Sequence, residues 1–189
     1  MDIKTWANGE LIAPADMKKY VSDALKGFLE PPACRRTMAN AGSEQLAPGW
    51  HVVKLERPGS GYGAGHSYDT TGGLMSKEQT KIHAPIDGLY EVSAGLIIRA
   101  VSGSLPYVVG SVNKNASTGG TIGATGFLRF GHGRATAGEK VGAGSTTIPL
   151  KAGEYIAMAF NADAAAYVGE GAYAQMISHL ELRWIGVMP

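Results

Sequence analysis

The strongest constraint on this chain is a sustained period-two pattern in its middle. After the Asp87-Gly88 turn, Tyr90, Val92, Ala94, Leu96 and Ile98 alternate with Glu91, Ser93, Gly95, Ile97 and Arg99. In a β-strand, alternate residues point to opposite faces, so the first set predicts an apolar core face and the second a smaller, more polar one. A strand of this length cannot bury its apolar face alone and needs a sheet with a second layer over it.

Weaker strands with turn signals between them surround it. Trp50 to Leu55 follows Pro48-Gly49, and Lys81 to His83 ends at Pro85. Tyr107 to Val112, Phe127 to Phe130 and Thr146 to Leu150 come next. Tyr155 to Phe160 follows the Lys151-Ala152-Gly153 turn, and His179 to Trp184 closes the series with Leu180, Leu182 and Trp184 on one face. Eight or more short strands at fairly even spacing, with no second helix, predict an all-β sandwich, most simply an antiparallel double-sheet jelly roll.

The N-terminal segment has a different period. Pro14 suits the first position of a helix, and Asp16 favours its positive end. Met17, Tyr20, Val21, Ala24, Leu25, Phe28 and Leu29 then recur on one helical face, with Lys18, Lys19, Ser22, Asp23 and Lys26 opposite, before Pro31-Pro32 stops the helix. An isolated helix of about four turns is marginal in water, so its stripe needs cover. Three covers are open: the chain's own domain, sister helices in an oligomer, or another protein. The division expected is residues 1–32 as a helical leader and 33–189 as the jelly roll.

Composition narrows the function. Charged residues are 17% of the chain and there are 27 glycines, a balance suited to tight turns and packed strands. A net charge of +1 gives no field to recruit nucleic acid or an anionic membrane, and Lys18-Lys19 and Arg35-Arg36 read as solvated surface positions. With Cys34 the one cysteine, no disulfide forms within the chain, and Cys34 reads as a small packed residue. The start Met1-Asp2-Ile3-Lys4 lacks a secretion pattern, and no stretch nears the roughly 18 apolar residues of a membrane span. Synthesis in a cytoplasm, with no membrane insertion, is the expectation.

A search for chemistry finds little. His51, His66, His83, His132 and His179 have no metal-ligand spacing, and neither a Gly-x-Ser-x-Gly elbow nor a phosphate-cradling Gly-Lys-Ser/Thr loop is present. Glu139, Glu154, Asp163 and Glu170 could approach one another in space as a carboxylate pair, although no spacing favours it. The expectation is no enzyme, no cofactor and no metal.

Two sets of residues carry a family resemblance. The segment Thr80-Lys81-Ile82-His83-Ala84-Pro85-Ile86-Asp87-Gly88-Leu89-Tyr90-Glu91-Val92-Ser93 resembles the central signature of C1q/TNF-like jelly rolls. Ile148 to Ile156, with Glu154 at the usual acidic position, resembles the family's later hallmark, as do Tyr68-Asp69-Thr70-Thr71-Gly72 and the closing Leu180 to Ile185. The leader is similar to the opening of tailed-phage minor tail and virion surface proteins, through Thr5-Trp6, Leu11 to Met17, Phe28-Leu29 and Pro31-Pro32. Ala13 departs from that pattern, which has a Ser or Thr cap; losing such a cap costs about 1 kcal/mol.

The resemblances imply a homotrimeric virion protein, made in a bacterial cytoplasm and carried on the particle. Its partners would be itself, other phage virion proteins and a host cell-surface glycan or protein. Trp6, Leu11, Tyr20, Leu25 and Phe28 would serve anchoring or assembly, and Ile97 and Tyr155 the trimer interface. The loops Pro58 to Gly73, Asn113 to Gly126 and Gly131 to Gly144 would be outward tips, with Tyr62, His66, Asn115 and His132 as contact candidates. Minor-tail and capsid-decoration placements both remain open, as does a non-viral cytokine-like or lectin-like binding module.

Overall fold

The computed structural model describes residues 7, 11, 13–18, 21, 25, 29–38, 45–56, 66–101, 107–132, 139–168 and 178–188, with the backbone alone at 45–46, 98–100, 132, 139–141 and 168. The leader contributes α1 (Pro14–Met17), and Lys18, Val21, Leu25 and Leu29 beyond it are also helical. The strands are β1 (Ala33–Thr37), β2 (Gln45–Leu46), β3 (Gly49–Val52), β4 (Tyr68–Asp69), β5 (Ile82–His83), β6 (Gly88–Ala100) and β7 (Val108–Lys114). After a second helix, α2 (Gly119–Thr125), come β8 (Leu128–His132), β9 (Glu139–Leu150), β10 (Tyr155–Ala162), β11 (Ala166–Val168) and β12 (His179–Gly186).

Every strand pairing is antiparallel, and the strands form two sheets. The seven-stranded sheet runs β2-β11-β6-β12-β1-β4 with β9 on the other edge of β6; the five-stranded sheet runs β3-β10-β7-β8 with β5 also on β10. The alternation of the central strand sets the core. Tyr90, Val92, Ala94 and Leu96 point inward beside Leu180, Leu182 and Trp184, and meet Ile156, Met158 and Phe160 of the opposing sheet, all buried. At roughly 2 kcal/mol for each large apolar side chain removed from water, this layer supplies the main drive to fold.

The corner before β6 explains its glycine. A Cβ on Gly88 would lie 2.6 Å from the Gly186 carbonyl oxygen and overlap the Trp184 indole. Tyr90 closes the same corner by donating its phenol to the Ile86 carbonyl at 2.8 Å.

The structure departs from the sequence reading in three places. The chain has a second helix: α2 is capped by Thr118, whose Oγ1 accepts from Thr121 N at 3.3 Å, and it lays Ile122 and Gly123 on Trp50. Its seven glycine- and threonine-rich residues carry too little helical periodicity to register in the sequence. Second, β9 begins at Glu139, so part of the expected loop from Gly131 to Gly144 is strand. Third, Arg36 is no surface residue. It is fully buried in β1, on the same side as Cys34 and Met38.

Candidate functional site

The surfaces of the two sheets are the features to weigh. Among the described residues no group of three or more His, Cys, Asp or Glu side chains could hold a metal ion. No described helix is long and apolar enough to cross a membrane.

The outward face of the five-stranded sheet is covered by its own chain. Ala157 and Ala159 of β10 lie with Ala116 and Ile122 in a small second cluster, flanked by Trp50 and Val52. Small residues at 157 and 159 let α2 approach closely. Ser111 donates to the Ile122 carbonyl at 2.9 Å, and Arg129 donates to the carbonyls of Gly123 and Ala124 at the helix end. The apolar second face of β10 at Ala157 and Ala159 is thus filled by α2.

The outward face of the seven-stranded sheet is different, and the strand registers order it in rows. One row runs Tyr68, Arg35, Glu181, Ser93, Ser145; the next runs Ala33, Arg183, Glu91, Thr147. Glu181 ties the first row together, accepting from the Tyr68 phenol at 2.7 Å and lying 3.7 Å from the Arg35 guanidinium. Burial, and then the hydrogen bond and charge of Glu181, push the Tyr68 phenol up to about 12. Arg35 Nε is shielded from water and has no acceptor among the described residues. Glu91, Arg183, Ser145 and Thr147 are exposed. Among the described residues these two rows therefore carry two cations and two anions in alternation beside a strip of small residues.

The two ends of the sandwich also differ. The leader enters β1 through Pro31-Pro32, and the Pro32 carbonyl accepts from Trp184 N at 2.8 Å. At that same end lie the Gly88–Leu150 pair, the Lys151–Glu154 turn and the end of β12. At the opposite end lie the pairs Ala100–Ala166, Val108–His132 and Gly49–Ala162. Exposed apolar side chains gather on the leader side: Met17, Val21, Leu25 and Leu29 on the leader itself, and Ile86, Ile185 and Val187 on the sandwich.

The residues singled out by sequence distribute as follows. Trp6, Tyr20, Phe28 and Tyr62 lie outside the described residues, whereas Leu11 is 94% exposed and Leu25 is exposed on the helix. Ile97 is enclosed by its own chain at 3% exposure, and its amide donates to Ser178 Oγ at 2.9 Å. Tyr155 is half-buried beside His83, with Lys81 Nζ 4.4 Å above its ring. His66 is exposed, and the His132 backbone ends β8 at the end away from the leader. Asn115 is exposed but structural. It holds φ at +56°, accepts from Tyr155 N at 3.1 Å and donates to Glu154 at 2.9 Å, at the leader end rather than on an outward tip.

Sequence reasoning missed two polar anchors. Arg36 donates to the carbonyls of Leu55 (2.8 Å), Glu56 (2.7 Å), Lys81 (3.1 Å) and Glu78, tying β1 to the segments 55–56 and 78–81. The parity Cys34, Arg36, Met38 was the available signal. Asp69 accepts from the backbone and hydroxyls of Thr71 and Ser76. Burial raises its carboxyl, but these donors outweigh it and hold the group below its ordinary range. Cys34 is fully buried, and burial followed by the Asp69 charge pushes its thiol up to about 12, leaving it un-ionised at neutral pH.

Two antiparallel sheets facing one another around one core define an antiparallel jelly roll. Its particular type is TNF-like. Eiger TNF from S. frugiperda superposes with a TM-score of 0.53 at 11% identity, covering 83% of this chain and 94% of that one. Two murine APRIL structures, at pH 8.5 and pH 8.0, give TM-scores of 0.50 and 0.51 at 10% and 11% identity, each covering 82% of this chain and 98% of the other. No protein-family model matches the sequence, and no curated protein matches it.

Proposed function

We propose that this chain is a non-enzymatic, self-associating binding module. It assembles as a homotrimer of TNF-like jelly rolls and contacts a partner macromolecule from the end away from its leader. The observation that carries this reading is the TNF-like architecture shared with Eiger TNF and APRIL. The outward face of the seven-stranded sheet supports it: alternating Arg35, Glu181, Arg183 and Glu91 can face a different surface of the next copy without presenting one sign of charge. In this reading the module acts as cytokine-like or lectin-like proteins do, through a surface rather than a pocket.

Light scattering of the full chain tests the assembly. A mass of three chains is the expected result, and a stable monomer across micromolar concentrations refutes it. Surface binding to immobilised glycans and to candidate cell-surface proteins then separates the two kinds of partner.

A second reading places the same module on a phage particle, at the tail or on the capsid, held there by the leader. The exposed stripe Met17, Val21, Leu25 favours it, because the sandwich leaves that stripe uncovered. Deleting residues 1–29 in the phage should yield particles lacking this protein. Normal incorporation of the shortened chain refutes the placement.

A further inference from the structure

One long edge of the seven-stranded sheet is open. Strand β9 pairs with β6 along one side, in an unbroken register from Gly88–Leu150 to Arg99–Glu139, and among the described residues no strand pairs with its other side. The chain itself fixes which backbone groups face outward. Trp184 N bonds the Pro32 carbonyl, so the Trp184 backbone turns towards β1 and away from Tyr90, which lies opposite it. Bonded and unbonded pairs alternate along an antiparallel ladder, so Tyr90 directs its own groups to Ile148 of β9. By the same alternation Gly144 and Thr146 also bond β6, whereas Ala143, Ser145 and Thr147 turn their amides and carbonyls outward. Pro149 shares this outward parity, where its missing N–H costs no ladder bond.

Sheets blunt such an edge with charge, proline, a bulge or a covering element. Val141 to Leu150 contains no charged residue, the register has no bulge, and Pro149 guards only the end nearest the leader. Ala143, Ser145 and Thr147 are exposed and small, which leaves room for a chain alongside. The inward side sets what fits there. Ile148, and Leu128 on β8 of the opposing sheet, are half-buried and pack on the main core. A Cβ on Gly144 would stand 3.1 Å from Leu128 Cδ1, so the two edges converge at this rim. An added strand would send alternate side chains onto the rim and the others outward. A second copy of β9, antiparallel through Ser145, would set Gly142 opposite Ile148 and Thr146 opposite Gly144, adding no apolar side chain beside Ile148. A different sequence fits better.

The geometry points to the open edge of β9 as a pairing site for an extended peptide segment of another protein, uncharged where it pairs and carrying β-branched apolar residues at alternate positions. The main chain at 143, 145 and 147 supplies the hydrogen bonds, and the rim of Ile148 and Leu128 receives the apolar side chains. This goes beyond the self-association proposed above and does not depend on it.

The probe is a fluorescein-labelled peptide of alternating threonine and valine, seven residues long with a lysine added at each end. Fluorescence anisotropy should report saturable binding to the full chain. Ser145→Pro removes one outward N–H and leaves the bonds to β6 in place, so it should weaken binding about tenfold or more with an unchanged circular dichroism spectrum. Amide hydrogen exchange of the unmodified chain gives an independent reading should that variant fail to fold. Ser145 and Thr147 should exchange fast alone and slowly with peptide, while Thr146 and Ile148 stay slow throughout. No saturable binding at millimolar peptide, unchanged affinity of the folded variant, or unchanged exchange at Ser145 and Thr147 overturns the proposal. Protection of these two amides without peptide, growing with protein concentration, assigns the edge to a second copy and overturns it as well.

Discussion

Replacing Arg36 by Met should cost far more than the same change one residue earlier. The Arg36 guanidinium is fully buried and donates to four carbonyls, of which Leu55 is itself fully buried. Methionine fills much of the space and donates nothing. Stranding the Leu55 carbonyl costs about 1–3 kcal/mol, and the three part-buried carbonyls, which water can reach, cost roughly 0.5–1 kcal/mol each. Relief from burying a charge offsets part of this sum, so the net loss is about 2–4 kcal/mol. Arg35, by contrast, is about a third exposed in a single ion pair of 3.7 Å with Glu181, and its replacement by Met should cost about 1 kcal/mol or less. Urea unfolding of both variants at one protein concentration measures the difference through the midpoint at constant slope. A gap below about 1 kcal/mol would show that the carbonyls around Arg36 find other donors, and would refute the idea that this side chain binds the segments together.

Three more outcomes follow from the same geometry. Gly123→Ala should loosen α2, because an added Cβ overlaps the Trp50 ring; a red-shifted tryptophan emission with a stability loss of about 1–3 kcal/mol is expected, and an unshifted spectrum contradicts the packing. Glu181→Gln should bring the Tyr68 phenol down from about 12, read by ultraviolet difference titration, since the carboxylate charge and hydrogen bond help to raise it; no movement means burial acts alone. Burial, and then the Lys77 charge, lower the His83 pKa, although the backbone hydrogen bond with Gly153 and the Glu78 carboxylate, 2.9 Å from His83 Nε2, oppose them. The unfolded chain then binds the proton more readily, so stability should fall as pH drops below about 6.5 toward the folded pKa, and His83→Gln should flatten that slope; equal slopes remove His83 as the cause.

Sequence alone determined the fold class, because a β-strand with one buried face writes its alternation directly into the chain. Tyr90 to Leu96, Ile156 to Phe160 and Leu180 to Trp184 were legible for that reason. Burial of Ile97 and the apolar Ala157–Ala159 face was not, because period two states that a face is apolar and not what covers it. Helix α2 supplies that cover for β10, and its own seven residues are nearly patternless. Arg36 escaped for a related reason. A charged side chain is buried only where enough carbonyls converge, and Leu55, Glu56, Glu78 and Lys81 converge on it only after the chain has folded. The same holds for the row Tyr68, Arg35, Glu181, Ser93, Ser145, whose members come from five strands and become one surface only through their register.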